Sequence, residues 1–167
     1  MLLRHAKSDW DARFSHDRDR PLNGRGEEAA RAVGDFLTRI DAVPELGLTS
    51  PAVRANSTLE LAASFGGWST PLRAVPELYS SSPGDLLGVV NGVTDVSRLL
   101  VVGHEPTLSA TVSRLVGGGS FRVPTAALVL LRIAHDEWSS VSWGSAEIHS
   151  LWLARTLVKA GFGACRH

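Results

Sequence analysis

Two histidines of this chain stand just after apolar segments, and an arginine separates one of them from its segment. The segment LLRH places Arg4 and His5 after two leucines, and LVVGH places His104 after a longer apolar run. An imidazole can act as a nucleophile or carry a proton, and the planar guanidinium of arginine makes forked hydrogen bonds to phosphate or carboxylate oxygens. A single histidine at the end of a strand is more often structural. The joint occurrence of these residues predicts an anion site.

A third segment, TSPAVRANST, adds a second arginine. Ser50 followed by Pro51 is typical of an N-cap and the first position of a helix, which places Arg54 in the first turn. Free N–H groups and the positive end of the helix dipole favour anions at that place. We therefore expect Arg54 to join Arg4, His5 and His104 around a phosphoryl group.

Alternating apolar segments and helical patterns must position these side chains. Asn23 is a plausible cap for the first helix, and Ser82-Pro83 repeats the cap-and-proline device. Since parallel strands end at a common edge, where ligands bind in open α/β sheets, both histidines are expected there. The predicted strands cover residues 1–3, 45–49 and 98–102, with a weaker extended segment over LRAVPELY, and the predicted helices cover 24–40, 51–65, 84–93 and 107–116.

The carboxyl-terminal part of the chain departs from the alternation of strands and helices predicted before it. AALVLLRIA and EWSSVSW suggest two antiparallel strands joined across His135-Asp136, and five apolar residues after Ser145 fit one helix face: Ile148, Leu151, Trp152, Leu157 and Val158. The whole pattern predicts a single α/β domain over residues 1–167, a three-layer α/β/α sandwich with a mostly parallel central sheet.

Composition excludes several functional classes. The 17 basic and 17 acidic residues give a net charge of zero, which disfavours a general nucleic-acid binder. No apolar run approaches the roughly 20 residues of a membrane span. The single Cys165 excludes an internal disulfide or a multi-cysteine metal site and suits a reducing, cytoplasmic location.

Three motifs carry a family resemblance: LLRHAKSDWD, LTSPAVRANST and VVGHEPTLS. With DRPLNGRG, they resemble the histidine phosphatase superfamily, and most of all its short SixA-type phosphohistidine phosphatases. The resemblance spans about residues 2–131. It implies a phosphoglycerate mutase-like fold without a large inserted cap.

The resemblance also implies roles for individual residues. His5 would be the nucleophile, while Arg4, Arg54 and His104 would hold the phosphoryl oxygens and Ser8 would place a hydroxyl near the pocket. Neither a metal nor another cofactor is expected.

The proton donor stays open at the sequence level. Many relatives carry a glutamate after the second helix, but in the local segment PELYSSSP that register is occupied by Ser80. Glu77 is a nearby candidate, Asp9 and Asp19 are others, and no acid at all is a further alternative. A phosphohistidine substrate needs an acid less, because imidazole is a better leaving group than an alkoxide.

The predicted function is therefore a phosphatase that forms a covalent phosphohistidine on His5, with phosphohistidine in a protein as the expected substrate. A phosphatase of small phosphate esters is the alternative. A non-catalytic module that binds phosphate or a phosphoprotein is the alternative from another class. Neither nucleic acid nor membrane is an expected partner.

Overall fold

The computed structural model describes residues 1–164, and Cys165 therefore lies outside the described part. In that part, no helix combines the length and apolar character needed to cross a bilayer. The strands are β1 (Leu2–Arg4), β2 (Leu46–Thr49), β3 (Leu72–Ala74), β4 (Leu99–Gly103), β5 (Leu128–Ile133) and β6 (Ala146–Trp152). The helices are α1 (Gly24–Arg39), α2 (Val53–Gly66), α3 (Pro83–Asn91), α4 (Thr107–Leu115) and α5 (Ala154–Lys159).

One sheet holds the six described strands in the order β3-β2-β4-β1-β5-β6. The first four positions in that order are parallel, whereas β5 runs antiparallel to β1 and β6 antiparallel to β5. β1 has three residues, yet it is held on both sides, since Leu3 lies opposite Val102 of β4 and Leu128 of β5. The short strand that carries Arg4 is thus fixed at the centre of the sheet.

Successive residues of the central strands enter different hydrophobic clusters. Leu2 and Val101 join the cluster that α3 and α4 cover, while Leu3 and Leu100 join the cluster that α1, α2 and α5 cover. Side chains alternate between the two faces of a strand, so the central strands are buried on both faces. The predicted α/β/α sandwich with a mostly parallel sheet is confirmed.

Two of the three predicted helix caps are confirmed. Asn23 accepts a hydrogen bond from the Gly26 N–H, and Ser82 forms a capping box with Asp85. Ser50 was expected to cap α2, and this expectation is wrong, because the helix begins two residues later, after Ala52. The Ser50 hydroxyl instead makes a hydrogen bond within the functional site.

The carboxyl-terminal prediction is also wrong in its pairing. β5 pairs with β6, and the segment EWSSVSW contributes a 3₁₀ turn, Trp138–Ser140. The residues expected on one helix face are split, since Ile148, Leu151 and Trp152 lie in β6 and Leu157 lies in α5. β6 is an edge strand with a register shift between Leu130 and Leu131 of its partner, so its apolar side chains do not alternate regularly.

Candidate functional site

Two strand ends and one helix start bring the predicted residues together. Arg4, the last residue of β1, lies opposite Gly103 of β4, and the His5 N–H donates to the Gly103 carbonyl at 3.0 Å. This parallel register leaves the ring centroids of His5 and His104 5.0 Å apart. Both rings line a cavity of about 620 Å³ together with Arg4 and with Arg54 of α2. The convergence of these four residues agrees with the expectation from the sequence.

The hydrogen bonds of His5 determine which nitrogen can react. Its Nδ1 lies 2.8 Å from the Ala6 carbonyl oxygen, which can accept but not donate, so Nδ1 carries the hydrogen. The lone pair of the neutral ring is therefore on Nε2. The pKa of His5 is lowered to about 3, mainly by burial; the hydrogen bond to Ala6 opposes the shift, and the charges of His104, Arg54 and Arg4 add to it. The ring is neutral at ordinary pH, as a nucleophile requires.

The loop after β1 is fixed by α2. The Ala6 N–H donates to Thr58 Oγ1 at 2.9 Å, and that hydroxyl donates to the Arg54 carbonyl oxygen at 2.6 Å. Thr58 is fully buried. One hydroxyl thus couples the backbone beside His5 to the helix turn that carries Arg54.

His104 is oriented by Ser50. The Ser50 hydroxyl lies 2.8 Å from His104 Nε2 and accepts a weaker hydrogen bond from the Ala52 N–H at 3.3 Å. Tyr79 packs edge-on against the same ring, with centroids 6.0 Å apart. Burial, followed by the positive charge of Arg54, lowers the pKa of His104 to about 4, while Asp17 opposes the shift. The second imidazole is therefore neutral too in the free protein.

Asp17 holds two arginines of the site. Its Oδ2 and carbonyl oxygen accept from Arg54 at 3.0 and 2.7 Å, and its Oδ1 accepts from Nε and Nη2 of Arg20 at 3.1 and 2.9 Å. Burial alone would raise the pKa of Asp17, but the two guanidinium groups outweigh burial and lower it. Arg20 also lines the cavity and stacks on the exposed ring of Trp10, with its Cζ 3.6 Å from the ring centroid.

Arg4 is anchored from the other side. Its Nη1 donates to the Val123 carbonyl oxygen at 3.1 Å. Burial lowers the pKa of this guanidinium, the negative charge of Glu105 raises it, and Arg122 lowers it. Glu105 follows His104 directly and also lines the cavity. The site thus presents three guanidinium groups, two neutral imidazoles and one carboxyl group to the same space.

Two predicted residues are not among those that line this cavity. Ser8 is buried and accepts a hydrogen bond from Arg20 Nη1, so its hydroxyl contacts an arginine of the site. Glu77 lies in the 3₁₀ turn Pro76–Leu78 and lines a separate cavity between the sheet edge and α3. Ser80, which occupies the register expected for an acid, does line the site. The structure does not bring Glu77 to the cavity that His5 lines.

Sequence reasoning missed Asp17, Arg20 and Glu105. Glu105 was adjacent to a predicted site histidine, and that adjacency was the signal. Asp17 and Arg20 belong to a loop of mixed charges, DRDRPL, which has no periodic pattern to say which charges face inward. No group of three or more His, Cys, Asp or Glu side chains within residues 1–164 is arranged to hold a metal ion.

Comparison with known proteins gives a consistent result. Residues 1–91 match the family model described as histidine phosphatase superfamily, branch 1. An uncharacterized protein of Mycobacterium leprae is 32% identical over 167 residues, an alignment that covers 92% of this chain and 100% of the relative.

Solved structures share the fold over nearly the whole chain. A protein assigned as the phosphohistidine phosphatase SixA of Nakamurella multipartitia is 28% identical, with a TM-score of 0.75 over 91% of this chain and 94% of the other. A protein assigned as an alpha-ribazole-5'-P phosphatase of Escherichia coli is 20% identical, with a TM-score of 0.69 over 90% and 93%. The second likeness concerns the fold alone.

Proposed function

The chain belongs to the histidine phosphatase superfamily, and we propose that it is a phosphatase that removes the phosphoryl group from phosphohistidine in proteins. The observation that carries the proposal is the neutral ring of His5. Its Nδ1–H is bound to the Ala6 carbonyl, so the Nε2 lone pair faces a cavity lined by Arg4, Arg20 and Arg54. A nucleophile and its cationic surroundings are therefore assembled before substrate binds.

The reaction proceeds in two displacements. His5 Nε2 attacks phosphorus, a covalent phosphohistidine forms on His5, and the bond to the leaving atom breaks. Water then attacks the same phosphorus and releases inorganic phosphate, which restores the neutral ring. Phosphoryl transfer depends mainly on positioning and on stabilising charge on the phosphoryl oxygens. Arg4 and Arg54 do both, because hydrogen bonds to Val123 and Asp17 fix their guanidinium groups.

His104 supports the transferred group from the other side. Its ring is held by Ser50 and lies beside His5. A phosphoryl dianion brings negative charge into the cavity, which favours protonation of this imidazole over its state in the free protein. His104 can then donate a charged hydrogen bond to a phosphoryl oxygen, and such bonds are roughly twice as strong as neutral ones.

Phosphohistidine is favoured as the substrate for two reasons. The first is chemical: a leaving imidazole needs less help from an acid than a leaving alkoxide does, and it therefore tolerates a serine, Ser80, in the register where many relatives carry a glutamate. The assigned function of the Nakamurella structure points in the same direction. The protein carrying the phosphohistidine would be the partner, and a cytoplasmic location is part of this proposal.

A second candidate is a phosphatase of small phosphate esters. A volume of about 620 Å³ lies within the range of sites for small ligands. Hydroxyl groups of Ser80, Ser81 and Ser82 are on residues that line it and could bind the polar part of such a substrate.

A substrate panel distinguishes these functions. Purified protein is tested on a phosphohistidine-containing protein, p-nitrophenyl phosphate and sugar phosphates, with His5→Ala as the matched inactive variant. The proposal predicts the highest kcat/KM for the phosphohistidine protein and loss of activity in His5→Ala. Faster turnover of the esters would support the second candidate. Phosphate binding without turnover of any substrate would indicate a non-catalytic binding module.

A further inference from the structure

The cavity contains a carboxyl group to which the sequence assigned no role. Of the described residues that line it, Glu105 is the one with a carboxylic acid side chain. The other polar side chains that line it are guanidinium, imidazole or hydroxyl groups. Glu77 lines a different cavity, and the Asp17 carboxylate is bound by two arginines.

Glu105 is held by a defined chain of hydrogen bonds. The Ser109 hydroxyl donates to Glu105 Oε1 at 2.8 Å, and the Ser109 oxygen accepts from the Val123 N–H at 3.2 Å. The carbonyl of the same Val123 accepts from Arg4 Nη1 at 3.1 Å. Val123 therefore anchors both the carboxyl group and a phosphate-binding guanidinium, which fixes one relative to the other.

The hydrogen-bond pattern leaves one carboxyl oxygen available. Ser109 occupies Oε1, whereas Oε2 has no hydrogen-bond partner among the residues the structure describes. Glu105 is half-buried and follows His104 by one residue, so it reaches both the phosphoryl site and solvent. A group in this place can exchange its proton with water and still contact the substrate.

We propose that Glu105 is the general acid and base of the reaction, a proposal that rests on the phosphatase function above. Glu105 takes up a proton from solvent before the reaction begins. As His5 Nε2 forms its bond to phosphorus, the bond from phosphorus to the leaving atom breaks, and Glu105 donates that proton to the leaving atom. The resulting carboxylate then takes a proton from the attacking water. The new bond from water oxygen to phosphorus replaces the phosphorus–nitrogen bond, so His5 and Glu105 both return to their starting states.

The test is the dependence of rate on the leaving group. Glu105→Gln keeps the shape and the hydrogen bond from Ser109 but cannot donate a carboxylic proton. Wild type, Glu105→Gln and Glu77→Gln are assayed on a series of aryl phosphates from good to poor leaving groups, with Glu28→Gln on the exposed surface of α1 as the matched control. General acid catalysis typically contributes about 100-fold or more.

The expected result is a loss in Glu105→Gln of about 100-fold for the poorest leaving group and of a few-fold for the best. An equal loss for every ester, or no loss, overturns the proposal, because a residue that merely positions Arg4 would affect all substrates alike. A leaving-group-dependent loss in Glu77→Gln instead also overturns it. If wild type hydrolyses neither esters nor phosphohistidine, the proposed phosphatase function fails and this inference fails with it.

Discussion

The surroundings of His5 suit the nucleophilic role proposed for it, because they keep the ring neutral and fix its tautomer. The Ala6 carbonyl holds Nδ1–H, and burial beside three positive or protonatable groups disfavours the imidazolium. An arginine-rich site would otherwise be the wrong place for a histidine, since like charges repel. Here that repulsion helps to keep the ring unprotonated, so the Nε2 lone pair is available for the proposed attack on phosphorus.

The neutrality of both histidines can be measured directly. The pKa values of His5 and His104 are lowered to about 3 and about 4, so we expect neither ring to titrate above pH 5 in the free protein. Ring resonances followed by NMR from pH 8 to pH 5 test this. A midpoint near 6.5, the ordinary value for histidine, at either ring would contradict the described environment.

At the scale of elements, the site depends on close contact between α1 and α2. A Cβ on Gly34 of α1 would lie 2.1 Å from the Ala62 carbonyl oxygen of α2. Glycine is therefore required at this position for the two helices to approach, and α2 carries Arg54 and Thr58. Any separation of these helices also displaces the loop after β1.

Gly34→Ala should lower the free energy of unfolding by about 1–3 kcal/mol, the usual cost of overpacking. Gly88→Ala is the matched control, because Gly88 is an exposed residue of α3 with no heavy atom within 4 Å of an added Cβ. That change should stabilise the protein by up to about 1 kcal/mol through helix propensity. Urea denaturation of both variants checks this pair, and a Gly34→Ala protein as stable as wild type would be inconsistent with the packing described.

A second prediction concerns α4. Thr111 is fully buried, its Oγ1 has no hydrogen-bond partner in the described structure, and it borders a small apolar cavity of about 40 Å³. Thr111→Val should therefore raise the free energy of unfolding by about 1 kcal/mol, since it removes an unsatisfied hydroxyl. Thr107→Val in the same helix is the control and should destabilise, because the Thr107 hydroxyl donates to the Ser81 carbonyl. Denaturation curves measure both changes in the free energy of unfolding, and equal changes in the two variants would contradict the difference in hydrogen bonding described for the two threonines.

The elements that carry the site were predictable because their patterns are local. β1 and β4 are continuous apolar segments followed by polar residues, and Asn23 and Ser82 are strong cap signals. Ser50 was misassigned because its hydroxyl binds His104, a contact between positions 54 residues apart. β6 was misassigned because an edge strand with an irregular register has no clean alternation.

At the scale of the whole molecule, the neutral rings of the buried His5 and the half-buried His104 make stability depend on pH. In the unfolded chain both titrate near 6.5, so below that value the unfolded state binds more protons than the folded state does. The free energy of unfolding is therefore unaffected by these two rings above about pH 7. It falls as the pH drops from 6.5 towards their folded pKa values of about 4 and about 3. Between pH 7 and pH 5 the loss is up to about 2 kcal/mol for each histidine.

Denaturation at pH 7 and pH 5 measures this dependence. His5→Gln should lose up to half of the pH effect, whereas His149→Gln, which changes an exposed residue of β6, should keep all of it. An unchanged pH dependence in His5→Gln would mean that this ring is not held neutral in the folded state.

The structure brings together some of the residues predicted for the site and adds others that the sequence did not single out. Arg4, His5, Arg54 and His104 follow from motifs attached to recognisable strand ends and a helix start. Asp17 lies in a loop and forms ion pairs with Arg20 and Arg54. These pairs form only in the folded chain, so no motif or periodic pattern of the sequence indicates them. The sequence leaves the proton donor open, because Ser80 occupies the register in which many relatives carry a glutamate. Glu77, one of the nearby candidates, lies in a 3₁₀ turn and lines another cavity.

The central claim is that His5 becomes phosphorylated during turnover. It is tested most directly by quenching the protein in base during reaction with a ³²P-labelled substrate and locating the label by peptide mapping. Phosphohistidine survives base and is lost in acid, so the account predicts a base-stable, acid-labile label on the peptide containing His5 in wild type and none in His5→Ala. A label that persists in His5→Ala, or full turnover by that variant, would contradict the account.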